Sequence, residues 1–156
     1  MNLWPHDDTA SLISFYGKPW EDSSLLVHVP PPFIMKYEGA IIHGILIHQK
    51  CASALALALS SIWKYYGQSQ DQIDAAGVSN YSGSYNYRSV RGASNLSCHA
   101  FGAALDIDAE HNGLGASHGS MKQPVVDAFK MVGAFWGGDF IHRKDWMHFQ
   151  FAKETA

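Results

Sequence analysis

Two short stretches in the C-terminal half of the chain alternate apolar and polar residues with a period of two. Such alternation restricts them to strands covered by a core on one side. In AALDIDA, residues 103–109, Leu105 and Ile107 are expected on one side and Asp106 and Asp108 on the other. In DWMHFQFA, residues 145–152, Met147, Phe149 and Phe151 alternate with His148 and Gln150. If the two strands are neighbours, Asp106 and His148 converge, and His99 in SCHAFGAALDID, residues 97–108, joins them through a tight turn at Gly102. Two imidazoles and one carboxylate, with a fourth position open, form a donor set that catalytic zinc prefers. Spacing alone leaves other readings open. A His near an Asp is more often a structural hydrogen-bonded pair, alternation is more often plain sheet amphipathicity, and nine histidines make chance pairs expected.

Elsewhere the pattern is coarser. DDTASLISFYG reads as a short helix with Asp8 or Thr9 as N-cap and Gly17 as its end. LLVHV reads as a short strand, PPP at 30–32 blocks both helix and central strand, and GAIIHGILIHQ is either a strand or the entry to the next helix. Residues 49–67, QKCASALALALSSIWKYYG, are the clearest helix, with Gly67 where a terminating glycine belongs. It is apolar almost all round, so it is expected to be a buried central helix. Residues 77–96, rich in Gly, Ser, Asn and Tyr, have loop composition. KQPVVDAFKMVGAFWG, residues 122–137, reads as a second helix with Pro124 in its first turn.

The chain has 156 residues, enough for one domain with one sizeable core. Its net charge is -3 without long charged runs, so nucleic acid is not an expected partner. The longest apolar run, ALALALSSIW, is too short to span a bilayer. No basic region followed by an apolar stretch marks a secretory signal, so synthesis in the cytoplasm is expected. Cys51 and Cys98 form no CxxC pair, and no disulfide framework is indicated. Cys98, beside His99, is either a reactive thiol or, more simply, an inert one.

SCHAFGAALDID resembles the S-x-H-x-x-G-x-A-x-D signature of the zinc D-Ala-D-Ala carboxypeptidase and L-alanyl-D-glutamate endopeptidase family, which includes vancomycin-resistance dipeptidases and many phage endolysins. Ser97, His99, Gly102, Ala104 and Asp106 fall on it. DWMHFQ resembles the family's second signature, an acidic residue, two others, then His and an aromatic. FWGGDF, residues 135–140, and RSVRG, residues 88–92, resemble stretches of its endolysin-type branch. The likeness covers roughly residues 85–151.

The resemblance implies Zn2+ held by His99, Asp106 and His148, with Asp145 as catalytic acid/base. Many carboxypeptidase-type members have Glu at that position and the endolysin-type branch often has Asp, so the chain leans towards the endopeptidase side. Cys98 and Gln150 depart from the commoner residues. Arg91 is the candidate for holding a substrate carboxylate or the oxyanion, because a guanidinium offers a bidentate fork, and Arg88 is its alternative. Each taken singly is as readily a solvated loop arginine. Ser97 orients substrate or caps a loop. Trp136 forms a cleft wall or packs in the core, and His142 lines the cleft. Tyr81, Tyr85 and Tyr87 line a groove or cover the core. His43 and His48 read as core or helix-end residues, and His111 and His118 as loop residues. Asp108 and Glu110 read as a solvated loop, since their spacing departs from a calcium loop.

The expected fold is α+β: one small antiparallel sheet with packed helices, the 49–67 helix behind it and a zinc cleft on the other side, Hedgehog/DD-peptidase-like. The expected function is hydrolysis of the peptidoglycan stem peptide at the L-alanyl-D-glutamate bond by a monomeric, phage-type endolysin that reaches the bacterial wall after release. The alternatives are a D-Ala-D-Ala carboxypeptidase, a wall-degrading effector toxin and a non-catalytic zinc-binding relative.

Overall fold

The structure, a computed structural model, describes residues 3–90 and 95–155. Helix α1, Thr9–Tyr16, begins where the Asp8 carboxylate accepts the Ser11 amide at 2.8 Å and ends at Gly17, whose φ of 71° suits a residue without a Cβ. Strand β1, Leu26–Val29, pairs antiparallel with β4, Ile45–His48. Between them, β2, Met35–Tyr37, and β3, Ala40–Ile42, form an antiparallel hairpin. The ambiguous stretch GAIIHGILIHQ is thus two strands. A 3-10 turn, Gln49–Cys51, leads into α2, Ala52–Tyr65.

Burial of α2 on all sides is not what the fold shows. Leu55, Ala58, Leu59 and Ile62 are buried, whereas Leu57 is 54% and Tyr65 66% exposed. The buried set recurs at helical spacing, because α2 packs one face against α4 and β1 and leaves the other open. A short helix α3, Gln70–Ala75, and strand β2 carried too little pattern to be expected.

Helix α4, Gln123–Met131, carries Pro124 in its first turn but stops earlier than its sequence suggests. Gly133 adopts a φ of 81°, and Phe135–Trp136 is strand β6. Strand β7, His148–Gln150, lies between β5, Ala104–Asp106, and β6, both antiparallel to it. Among the described residues, three small antiparallel sheets therefore replace the single one expected. Phe129 of α4 stacks on Phe149 of β7 with ring centroids 4.3 Å apart, so α4 backs the β5-β7-β6 sheet. One hydrophobic cluster runs from Leu12 to Ala152. Among the described residues no helix is long and apolar enough to cross a membrane.

Asp108 was expected on the outward side of its strand, in a solvated loop. Instead it is buried, with a left-handed φ of 56°, and its carboxylate accepts Asn80 Nδ2 and His111 Nδ1. The strand ends at Asp106, so alternation no longer governs two residues later.

Candidate metal centre

Asp106 sits directly opposite His148 in the β5–β7 register. Backbone bonds from Ile107 to Met147 and from Phe151 to Ala103 leave that pair at a non-hydrogen-bonded position, where facing side chains approach most closely. Asp106 turns its own backbone the other way, donating to the Gly83 carbonyl at 2.8 Å and accepting the Ser82 amide at 2.9 Å.

His99 arrives from a 3-10 turn, Cys98–Phe101, whose N-cap Ser97 accepts the His99 amide at 3.2 Å. The turn closes at Gly102, φ 66°. A Cβ there would meet Leu26 Cδ2 at 2.6 Å and the His48 nitrogen at 2.9 Å, so only glycine lets this corner pack against β4. Ser97 therefore has a structural capping role, and it also lines the cleft.

Two ring nitrogens and one carboxylate oxygen meet. His99 Nε2 lies 3.3 Å from Asp106 Oδ1, His148 Nδ1 lies 3.1 Å from the same oxygen, and the two nitrogens are 3.2 Å apart. Donors about 2.0–2.1 Å from a tetrahedral ion stand about 3.3 Å from one another, so the spacing fits one ion.

Hydrogen bonding outside the trio decides what those atoms offer. His99 Nδ1 donates to the Ser84 carbonyl at 2.6 Å, which leaves Nε2 with its lone pair. His148 Nε2 donates to Gln150 Oε1 at 2.8 Å, which leaves Nδ1 with its lone pair. The Gln150 amide cannot face the other way, because its Nε2 donates to Asp7 Oδ2 at 3.1 Å and to the Ala152 carbonyl at 3.2 Å. Three acceptor atoms this close repel unless a proton or a cation lies among them. The electrostatics express that demand. Burial pushes the Asp106 carboxyl up, but when the rings are protonated, hydrogen bonds from His148 and His99 outweigh it and hold the group well below the usual carboxylate range. Burial pushes the His148 ring towards its neutral form, but Asp106, with Asp145 behind it, holds it above the usual histidine range.

Asp145 stands beside the trio, its Oδ2 3.9 Å from His148 Nδ1. Its Oδ1 is buried and has no hydrogen-bond partner. Burial raises the pKa of this carboxyl; among its neighbours, His148 lowers it and Asp106 raises it. A turn just before β7 brings Asp145 here: His148 N donates to Asp145 O at 3.1 Å. Gly137 makes room for it: a Cβ there would lie 2.3 Å from the Asp145 carbonyl oxygen. The first glycine of FWGGDF thus serves the placement of Asp145.

A cleft of about 720 Å³ opens over these residues, lined among others by Asp7, Arg88, Ser97, His142, Arg143 and Asp145. His142 is exposed at its lip. Arg88 lines it and donates to the Ser89 carbonyl at 3.1 Å. Arg91 lies outside the described residues. Trp136 is not among the lining residues. Its indole donates to the Trp146 carbonyl at 2.9 Å, and its ring covers Gly138. Tyr81 bonds Ser84 Oγ, supporting the residue whose carbonyl holds His99, while Tyr87 packs on Trp20 at 4.8 Å. Cys98 is buried, and burial raises its thiol pKa, which makes it a poor nucleophile.

Sequence reasoning missed Ser84 and Asp7. Ser84 acts through its backbone carbonyl, which no residue type reveals, and Asp7 is 143 residues from its partner Gln150.

Residues 91–151 match the family model described as D-alanyl-D-alanine carboxypeptidase. The matched segment contains His99, Asp106, Asp145 and His148, and it supports a zinc metallopeptidase acting on peptidoglycan. No curated protein and no solved structure matches the chain.

Proposed function

We propose that this chain, whose residues 91–151 match the family model described as D-alanyl-D-alanine carboxypeptidase, cuts the peptidoglycan stem peptide at the L-alanyl-D-glutamate bond as a phage-type endolysin. The observation that carries the hydrolytic reading is the meeting of His99 Nε2, Asp106 Oδ1 and His148 Nδ1 within 3.3 Å, with Asp145 beside them in an open cleft.

His99, Asp106 and His148 would hold the zinc. When bound, zinc supplies Lewis-acid polarisation of the scissile carbonyl and a nucleophile at neutral pH. The rest belongs to the chain. Asp145, whose Oδ2 is the oxygen beside the trio, takes a proton from the attacking water and returns it to the leaving amine. Its burial suits this exchange, since a carboxyl with a raised pKa is a better base and can later act as an acid. Arg91 offers its guanidinium to a substrate carboxylate or the oxyanion, with Arg88 on the cleft wall as its alternative. His142 at the lip contacts the peptide, and Ser97 keeps His99 in place. Asp rather than Glu at position 145 supports the endopeptidase reading. The chain works as a monomer and, made in the cytoplasm, reaches the wall after release.

The description of the matched family favours a second reading, D-Ala-D-Ala carboxypeptidase action. Digestion of purified peptidoglycan separates the two by mass spectrometry of the products. New free amino groups on D-glutamate support the endopeptidase, and released D-alanine supports the carboxypeptidase. Wall left intact by the zinc-loaded chain refutes both.

A further inference from the structure

The N-terminal segment lies outside the residues matched by the family model, yet it reaches the metal centre. Asp7 is fixed there from both ends of the chain. Its amide donates to the Lys153 carbonyl at 2.9 Å, Lys153 donates back to the Pro5 carbonyl at 2.7 Å, and Asp7 Oδ1 accepts the Thr155 amide at 2.8 Å. That leaves Oδ2, an acceptor only, facing Gln150 Nε2 at 3.1 Å, the same nitrogen that donates to the Ala152 carbonyl at 3.2 Å. The amide oxygen of Gln150 must then face His148, and His148 Nε2, 2.8 Å away, must carry the proton. Nδ1, the nitrogen that faces His99 and Asp106, is left with its lone pair.

We propose that Asp7, acting through Gln150, is a positioning residue that sets the ring tautomer of His148 and so makes the centre competent for zinc. This inference rests on the metallopeptidase reading. Gln150 is buried and Asp7 partly so, which shields the chain of hydrogen bonds from competing water. An outer partner of a metal-binding histidine typically governs metal affinity about 10- to 100-fold.

The test exchanges hydrogen-bond polarity without changing shape. In Asp7→Asn the amide keeps its oxygen on the Thr155 N–H and turns its NH2 towards Gln150. Gln150 Nε2 then faces an N–H at position 7, and the flip that relieves this, against the pull of the Ala152 carbonyl, presents N–H to His148 Nε2 and moves the ring proton to Nδ1. Zinc affinity, measured by competition with a chromogenic chelator, is expected to fall about 10- to 100-fold. Nitrogen NMR of the metal-free protein, recorded at a pH high enough for the imidazole to be neutral, is expected to show the changed tautomer. Combining Asp7→Asn with Gln150→Glu is expected to restore most of the affinity, because the introduced carboxylate accepts from both His148 and the amide at position 7. Gln150→Glu alone sets two carboxylates against each other and is expected to bind zinc worst.

If Asp7→Asn lowers the melting temperature but leaves zinc affinity and the His148 tautomer as in wild type, the residue is merely structural and the proposal fails. If Asp7→Asn does not fold, the double variant decides: affinity near wild type supports the proposal, and weak binding overturns it. A wild-type chain that takes up no zinc sinks the metallopeptidase reading itself, whereas normal wild-type uptake with an unaffected Asp7→Asn sinks only the positioning role.

Discussion

Asp145 Oδ2 lies 3.9 Å from His148 Nδ1, close enough to sense the metal centre and too far to bond that nitrogen directly. Its other oxygen is buried with no hydrogen-bond partner. In the proposed function this carboxylate transfers protons. Asp145→Asn, which preserves shape and removes the base, is expected to slow stem-peptide cleavage about 10²- to 10⁴-fold. Its zinc content should equal that of wild type. Metal analysis of the same protein used for the digestion assay checks both; loss of zinc together with activity would make Asp145 a ligand instead.

The corner at Gly102 carries His99 into place, and no side chain fits there. Its φ is positive and an added Cβ would strike Leu26 and the His48 backbone. Gly102→Ala is expected to destabilise the fold by about 1–3 kcal/mol through backbone strain and overpacking. Urea unfolding followed by circular dichroism measures it, and an unchanged midpoint would show that the corner relaxes freely.

His48 is buried at the start of the turn before α2. Its Nε2 donates to the Tyr16 carbonyl at 2.8 Å, and its Nδ1 accepts the Lys50 amide at 3.0 Å. Burial lowers its pKa below the ordinary value of 6.5, against the opposing bond to Tyr16. The folded state therefore binds fewer protons at this ring than the unfolded chain. The stability it contributes is full above about pH 6.5 and is lost as pH falls from there through the folded value. The melting temperature of wild type should decline in that window more steeply than that of His48→Asn, which keeps an acceptor for Lys50 and does not titrate. Parallel slopes would remove His48 from the pH response.

A ligand that binds only the folded chain stabilises it by mass action. Zinc at about 100 times its dissociation constant is expected to add about 2.7 kcal/mol. Thermal melts with and without a chelator measure this, and readdition of zinc should restore both melting temperature and wall digestion. A melt insensitive to metal would contradict it.

Several features of this site could be read before any coordinates. Alternation in MHFQF and ALDID placed His148 and Asp106 on strands, and their direct opposition in the register is what brings them together. Asp8 and Gly17 bracket α1 because capping chemistry is local. The pattern ran out where contacts are distant or belong to the backbone. Ser84 holds His99 through a carbonyl, and Asp7 reaches Gln150 across almost the whole chain. It also misled where alternation outlasted the strand, as at Asp108, and where a helix-like composition ran past Gly133 into β6. The all-round apolar character of α2 overstated its burial, since alanine is tolerated on an open face as readily as in a core.

The zinc-to-protein ratio of wild type beside His99→Ala, Asp106→Ala and His148→Ala decides whether these three side chains share one ion. One zinc per wild-type chain is expected, with uptake lost or greatly weakened in each variant although each still folds. Wild type without zinc, or folded variants that retain it undiminished, would contradict the metal centre and the hydrolysis built on it.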